Sequence, residues 1–315
     1  MAVLFPVAHP IMCAIMNQVS EINLAIAVAK AGAMPSLMLY NSNNETFASD
    51  LKTNMAQFKS AVGNTDIVLC VPASFLRSAV VCDTIILCGV KFIEIFPSHA
   101  DTNTFMMSRG TSPFDGTELI PTEYTNSEFL NNINFLKDAG VKILMRMVWE
   151  KQPVHPFADV LCIKGADSAG IKGSKTVKER FMQFLETHPT MPLIPYGGIS
   201  SSDDVDFYIN NGAAAVAVGT LFAACDDSRL SNETKNKMIE ATSKDLTSLD
   251  TSGQSALVFT TADKTSADDI NRTSSLVKGI SSAVGHIYAG TGIDGVTTNR
   301  TAHQVVRYLS GNRAI

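Results

Sequence analysis

The chain has 315 residues, 45% of them hydrophobic, and a formal net charge of −5 at pH 7. This composition supports a sizeable core and excludes a disordered chain, and without a Lys/Arg cluster nucleic acid is not an expected partner. Apolar runs stay well short of the roughly 18 residues of a membrane span, and the apolar start lacks a basic region and contains Pro6 and His9, so neither a transmembrane helix nor a signal peptide is expected.

Short apolar runs then alternate with amphipathic segments. Ile11–Met16 reads as a strand, Glu21–Ala31 as a helix closed by Gly32, and Ser36–Tyr40, Asp66–Val71 and Lys91–Phe96 as further strands. The polar stretch His99–Tyr124 reads as a long loop. It is followed by a helix over Ser127–Ala139 ending at Gly140, strands over Lys142–Val148 and Asp159–Lys164, and a helix over Lys175–Thr187. A strand over Leu193–Tyr196, a helix over Ser202–Asn211 ending at Gly212 and a strand over Ala214–Val218 complete the series. The strands hardly alternate in polarity, as expected of parallel strands buried on both faces. About eight strand–helix units is the count that closes a parallel TIM (β/α)8 barrel. An open doubly wound sheet is the competing architecture, but Met16-Asn17-Gln18-Val19-Ser20 after the first strand has no dinucleotide-binding glycine.

After Asp226 the pattern changes. A polar helix near Ser231–Ser243, a Ser/Thr/Asp-rich stretch over Leu246–Thr273 that reads as loop or mobile segment, a helix near Ser275–Val284, a Gly loop over Tyr288–Gly295 and a helix near Thr301–Leu309 are expected. The division is thus a barrel over 1–225 and a C-terminal helical segment over 226–315. The six cysteines, Cys13, Cys70, Cys82, Cys88, Cys162 and Cys225, form no CxxC pair and no metal-spaced cluster with histidine. They read as buried reduced thiols, which points to the cytoplasm, with no metal.

The most informative segment is Pro192–Val205. An apolar strand ends in Gly197-Gly198, and a helix opens with Ser201, Ser202 or Asp203 as its cap, Asp203-Asp204 reading as capping residues. About twenty residues on, the last strand ends in Gly219-Thr220. In parallel barrels, loops after the last two strands bind phosphate on backbone amides at a helix start, and glycine admits the oxygens that a Cβ would block.

These residues resemble a known family. Ile194-Pro195-Tyr196-Gly197-Gly198-Ile199 and Asn211–Ala224 are similar to the FMN-binding half of nitronate monooxygenases, also called 2-nitropropane dioxygenases, to which flavin-dependent enoyl reductases of fatty-acid synthesis are related. Pro10–Ser20 resembles the family's first strand, Ala31–Ser36 its Gly-rich turn, and Tyr288–Ile293 a Gly-rich loop near its C-terminus. The resemblance implies FMN held through Ala14, Met16, Lys164, Gly170, Gly197, Gly198, Gly219 and Thr220, and a small-molecule substrate; a homo-oligomer is compatible with it.

One departure is decisive. Where the family has Gly-x-Glu-Ala-Gly-Gly-His-x-Gly, this chain has Gly165-Ala166-Asp167-Ser168-Ala169-Gly170-Ile171-Lys172-Gly173. Ile171 stands at the catalytic histidine and can neither take a proton nor donate a hydrogen bond. Ile15 likewise replaces the first-strand proline. The resemblance therefore implies a retained flavin shelf and poor turnover of nitronates, and worse of neutral nitroalkanes.

Lys172 and His99 are candidate substitutes for the base. Lys164, at a strand end on the face of Val160 and Cys162, is placed to meet the flavin N1–C2=O edge and stabilise its anionic reduced form. Arg146 lies inside an apolar strand and needs a buried partner such as Glu94. His155, His188, His286 and His303 read as surface residues, and Trp149 and Met34 as packing. The expected function is an FMN-dependent oxidoreductase. The alternatives are a flavin- or phosphate-binding barrel without that activity, and a lyase or isomerase acting on a phosphorylated sugar.

Overall fold

The computed structural model of the chain describes residues 4–17, 19–39, 42–43, 45–96, 122–148, 152–251, 254–260 and 286–311. His99, Trp149, most of the expected loop over His99–Tyr124 and the expected helix over Ser275–Val284 lie outside these residues.

All eight expected strands are present, each at its expected place. They are β1 (Ile11–Cys13), β2 (Ser36–Met38), β3 (Val68–Pro72), β4 (Phe92–Phe96), β5 (Lys142–Met147), β6 (Val160–Ile163), β8 (Leu193–Pro195) and β9 (Val216–Val218); β7 (Gly170–Lys172) is a short strand in the loop after β6. β2, β3, β4, β5, β6 and β8 pair in parallel in that order, and β1 pairs in parallel with β9. Single parallel bridges, Met12 to Met34 and Tyr196 to Ala217, join the two groups and complete the ring of eight. β1 ends at Cys13, earlier than its apolar run suggests. The Ser20 hydroxyl accepts from Met16 N at 2.8 Å and donates to Ala14 O at 3.1 Å, so the backbone turns instead of continuing the ladder.

Alternate residues face opposite sides of each strand. Met12, Ala14, Val68, Cys70, Leu144, Cys162, Ile194, Tyr196 and Ala217 form one buried set inside the ring. Their neighbours Ile11, Leu69, Ile93, Ile143, Leu161 and Val216 pack outward on the helices. The unalternating sequence reflects burial on both sides. Gly32, Gly140 and Gly212 take φ of 79°, 84° and 95° just past the helices Ile22–Lys30, Ser127–Asp138 and Ser202–Asn210, the left-handed stop expected of them. All six cysteines are buried free thiols.

The C-terminal segment differs from its expectation in one respect. It has the helices Asn232–Glu240 and Ala302–Leu309, but the described part of the Ser/Thr-rich stretch is an antiparallel hairpin, β10 (Leu246–Thr251) and β11 (Gln254–Thr260). β11 pairs further with β12 (His286–Ile287) and with β7. Its threonines serve as β-branched strand residues, and Leu257, Val258 and Phe259 are buried. Among the described residues no helix is long and apolar enough to cross a membrane.

Arg180 is a feature the sequence did not announce. It lies on the helix Val177–Thr187, is only 1% exposed, and donates from Nη1 to Met147 O at 3.0 Å, to Val148 O at 2.6 Å and to Lys164 O. One guanidinium thus ties together the carbonyl ends of β5 and β6. Replacing it by Met leaves three buried carbonyls without this charged donor. Arg180→Met should lower the unfolding free energy by about 3–5 kcal/mol in denaturant titration; a loss under about 1 kcal/mol would show that the clamp is energetically idle.

Candidate cofactor and active site

The residues expected to hold a cofactor converge at the C-terminal ends of β1, β6, β8 and β9. The bridge between Tyr196 and Ala217 sets the turn Gly197-Gly198 beside Gly219-Thr220. A Cβ on Gly219 would meet Met16 Sδ at 3.5 Å and Ala14 Cβ at 3.6 Å, which brings the first strand's candidates to the same corner. Gly170 lies with its Cβ direction 4.0 Å from Lys164 Nζ and 3.7 Å from the Tyr288 ring.

Hydrogen bonds through hydroxyls and backbone, and close backbone packing, hold these loops. The Ser168 hydroxyl accepts from Gly165 N at 2.9 Å and donates to Tyr196 O at 2.7 Å, joining the loop after β6 to the end of β8. From the C-terminal segment, Gly290 N donates to the Thr220 hydroxyl at 3.1 Å and Thr291 N to Asp167 O at 3.1 Å. A Cβ on Gly290 would lie 2.5 Å from Asp167 O, and one on Gly295 only 2.2 Å from Ser200 O. The Gly loop Tyr288–Gly295 is therefore packed onto the loops after β6 and β8.

Two donor groups in this corner differ in availability. The helix Ser202–Asn210 is capped by its own residues. Ser201 is the N-cap, and Asp204 Oδ2 accepts from Ser200 N at 2.8 Å and from Ser201 N at 3.0 Å, so these amides are committed. The expected capping role of Asp204 is borne out. Among the described residues the amides of Gly198, Gly219 and Thr220 make no hydrogen bond. Three uncommitted amides on adjacent turns suit an anion such as a phosphate.

Asp167 faces the same turn. Its Oδ1 accepts from Val177 N at 2.7 Å, while Oδ2 lies 2.6 Å from where a Cβ of Gly198 would be. Gly198, with φ of 72°, is thus kept free of a side chain by the carboxylate beside it as well as by its backbone. Desolvation raises the Asp167 pKa, opposed by the hydrogen bond from Val177 N.

Inside the barrel mouth lies a buried polar cluster. Arg146 Nε donates to Glu94 Oε1 at 2.5 Å, and Nη2 pairs with the same oxygen; Glu94 is fully buried, and its Oε2 has no hydrogen-bond partner among the described residues. The Arg146–Glu94 pair expected from the sequence is therefore present. Tyr196 receives a bond from Ile15 N at its hydroxyl, and Arg146 lies 5.2 Å from its ring centroid. Lys164 is 6% exposed, donates to Ala169 O at 2.7 Å, and has a pKa lowered to about 7 by burial and by Arg146, with Glu94 opposing. Burial therefore makes the Lys164 ammonium easier to deprotonate than that of a solvated strand-end lysine.

Ile171 and Lys172 lie on β7, where Ile171 pairs with Ala256 and Lys172 with Ser255 of β11. As neighbours in a strand they project to opposite faces, so they cannot share one role. Tyr196, Asp167, Ser168 and Tyr288 also belong to the site. All four lie within segments read from the sequence, Tyr196 in the glycine motif after β8, Asp167 and Ser168 in the loop after β6 and Tyr288 in the C-terminal Gly loop, but their part in the site is visible only once the loops are brought together.

Fold and site together define a (β/α)8 barrel whose last two strands end in glycine turns with uncommitted amides among the described residues. A family model described as nitronate monooxygenase matches residues 137–311, more than half of the chain. The chain belongs to the nitronate monooxygenase family, whose members are flavin-dependent oxidoreductases. Its fold is similar to that of FabK from Thermotoga maritima, with 17% identity, a TM-score of 0.73 and coverage of 97% of this chain and 93% of that one. It also resembles nitroalkane oxidase from Streptomyces ansochromogenes, at 18% identity and a TM-score of 0.66 over 98% of this chain and 96% of that one. The enoyl reductase domain of MlnA from Bacillus amyloliquefaciens is similar at 12% identity and a TM-score of 0.57, over 86% and 68%. No curated protein matches the sequence.

The double constraint on Gly198 has a measurable consequence. Gly198→Ala places a Cβ at a left-handed φ and against Asp167, which should cost about 1–3 kcal/mol of stability. Adding Asp167→Ala removes the clash but not the backbone strain, so the double variant should be less destabilised than the sum of the two single changes. Strict additivity in paired denaturation curves would show that the two residues do not meet.

Proposed function

We propose that the chain is an FMN-dependent oxidoreductase acting on a small substrate, with the nitronate monooxygenase layout but without its imidazole base. The observation that carries this reading is the set of three uncommitted amides, Gly198, Gly219 and Thr220, on the turns after the last two barrel strands. They are the groups that would hold the FMN phosphate. Ala14, Met16, Gly170, Gly197 and Lys164 border the same mouth and would meet the rest of the cofactor. Bound flavin supplies two-electron redox chemistry. The chain's own part is to orient it, exclude water with the apolar residues of the mouth, and place Lys164 and Tyr196 beside it. In this reading residues 1–225 form the cofactor-binding barrel, and 226–315 are the segment whose Gly loop braces the cup.

Ile171 at the family's histidine separates cofactor binding from nitronate turnover. A barrel that binds flavin without oxidising nitronates is the outcome to expect if nothing replaces the imidazole. Purified protein, or protein reconstituted with FMN, should show flavin absorbance at about one equivalent per chain. Tight binding of a sugar phosphate together with no affinity for FMN would favour a lyase or isomerase and overturn the reading.

Asp167 supplies a second check. Its folded-state pKa is raised above the unfolded value, so its contribution to stability is fully present at low pH and is lost as pH rises through the folded-state pKa. At neutral pH the ionised carboxylate therefore opposes folding, and it repels a phosphate held beside Gly198. Asp167→Asn keeps an oxygen for Val177 N and removes the charge. It should raise the melting temperature and tighten FMN several-fold at pH 7, with both gains fading at acid pH where Asp167 is itself protonated. FMN affinity unchanged at every pH would place the phosphate elsewhere.

A further inference from the structure

Lys164 lies directly beneath the loop segment that lost its base. Its amine donates to the carbonyl of Ala169, two residues ahead of Ile171, and it is 4.0 Å from the Cβ direction of Gly170. The amine is anchored once: among the described residues its other two hydrogen positions have no partner. Its position is fixed from behind, because Arg180 holds the Lys164 carbonyl and so the end of β6. A buried amine with one anchoring bond and free capacity, at the mouth of a barrel, is arranged to exchange a proton rather than to form a permanent ion pair.

The surrounding charges agree. From β4, Glu94 is committed through Oε1 to Arg146 of β5, and the two cancel. From the end of β8, the Tyr196 hydroxyl is held by Ile15 N and its pKa is raised by burial, so it stays neutral. Tyr288, which borders Gly170 from the C-terminal segment, is likewise held neutral by burial, and Asp167 directs its carboxylate to Val177 and Gly198. Among the described residues a protonated Lys164 would thus have no carboxylate paired with it. Burial first, and Arg146 second, lower the pKa of the amine from the usual lysine value, with Glu94 opposing.

We propose that Lys164 is the proton-transfer group of this site, doing from the end of β6 what an imidazole does from the loop in the family pattern. The substrate class is a carbon acid activated by a nitro group. The neutral amine takes the α-proton, the C–H bond breaks, and its electron pair moves into the nitro group to give the nitronate; the amine becomes an ammonium and returns its proton to solvent. This step needs no oxidant, so it is separable from flavin chemistry, although the proposal rests on the oxidoreductase reading for its substrate.

The test uses the purified full-length chain, with nitroethane as probe. Proton–deuterium exchange at the α-carbon is followed by NMR in deuterated buffer. Wild-type protein should accelerate exchange, with a rate that rises through neutral pH and then levels off. Lys164→Met should reduce the acceleration a hundredfold or more, as expected for loss of a general base, and Lys164→Arg, which cannot give up its proton, should not restore it. Competitive acetylation read by mass spectrometry gives a second measurement that needs no substrate: Lys164 should half-titrate near neutral pH, well below the other lysines. Absent wild-type exchange, exchange that survives Lys164→Met, or a Lys164 that titrates with the surface lysines would each overturn the proposal. FMN binding is measured in parallel by quenching of flavin fluorescence. If exchange depends on Lys164 while FMN does not bind, the cofactor reading fails and the proton-transfer assignment stands.

Discussion

The site depends on backbone meeting backbone at distances that admit no side chain. A Cβ on Gly165 would lie 2.3 Å from Val177 N, and one on Gly292 would lie 2.7 Å from Ile199 O. Loops after three barrel strands and a turn from the far end of the chain are thus compressed into one layer, fastened by Ser168, Thr220 and Thr291. Loops usually carry function because they tolerate change. Here they are interlocked, so the geometry of the cup and the position of the amine beneath it are set by packing.

A second constraint runs through the barrel interior. Most of its inward residues are apolar, yet Glu94 and Arg146 place a full ion pair among Cys70, Cys162 and Tyr196. Such a pair is costly to bury and costlier to break. Its presence at the C-terminal half of the strands makes the mouth polar while the outward-facing residues remain apolar. It also bears on Lys164: burial lowers the pKa of that amine most, the nearby guanidinium lowers it further, and Glu94 opposes both. An amine two strands away is thereby moved toward neutrality without a carboxylate of its own.

Much of this was legible in the sequence, for identifiable reasons. Parallel strands buried on both sides give apolar runs that local reading finds, and all eight were found. The glycine stops at Gly32, Gly140 and Gly212 and the cap at Ser201 are local signals and were read correctly. The corner proposed to hold phosphate was legible because Gly197-Gly198 and Gly219-Thr220 lie within short motifs that the fold brings side by side. The hairpin over Leu246–Thr260 was missed because Ser, Thr and Asp dominate its first strand; the apolar residues of β11 become strand residues only through β7 and β12, which are distant in sequence. Arg180 was missed because an arginine on a helix ordinarily faces solvent, and only the fold shows three carbonyls converging on it. At the start of the helix Ser202–Asn210 the capping was legible, but that Asp204 takes the amides of Ser200 and Ser201 is seen only in the fold.

Ile171 is best understood together with the lysine beneath its loop. If the site needed no acid or base, nothing would favour a buried, singly anchored lysine there, since burying an amine with only one hydrogen bond among the described residues is unfavourable. A purely structural Lys164 would be replaced at a gain in stability by a hydrophobic residue of similar length. A lysine at this place, with Arg180 bound to the carbonyl of the same residue, is what the proposed proton exchange would explain. The proposed proton exchange accounts for both the burial of this amine and its single anchoring bond among the described residues; a fixed cation would be better served by a carboxylate beside it.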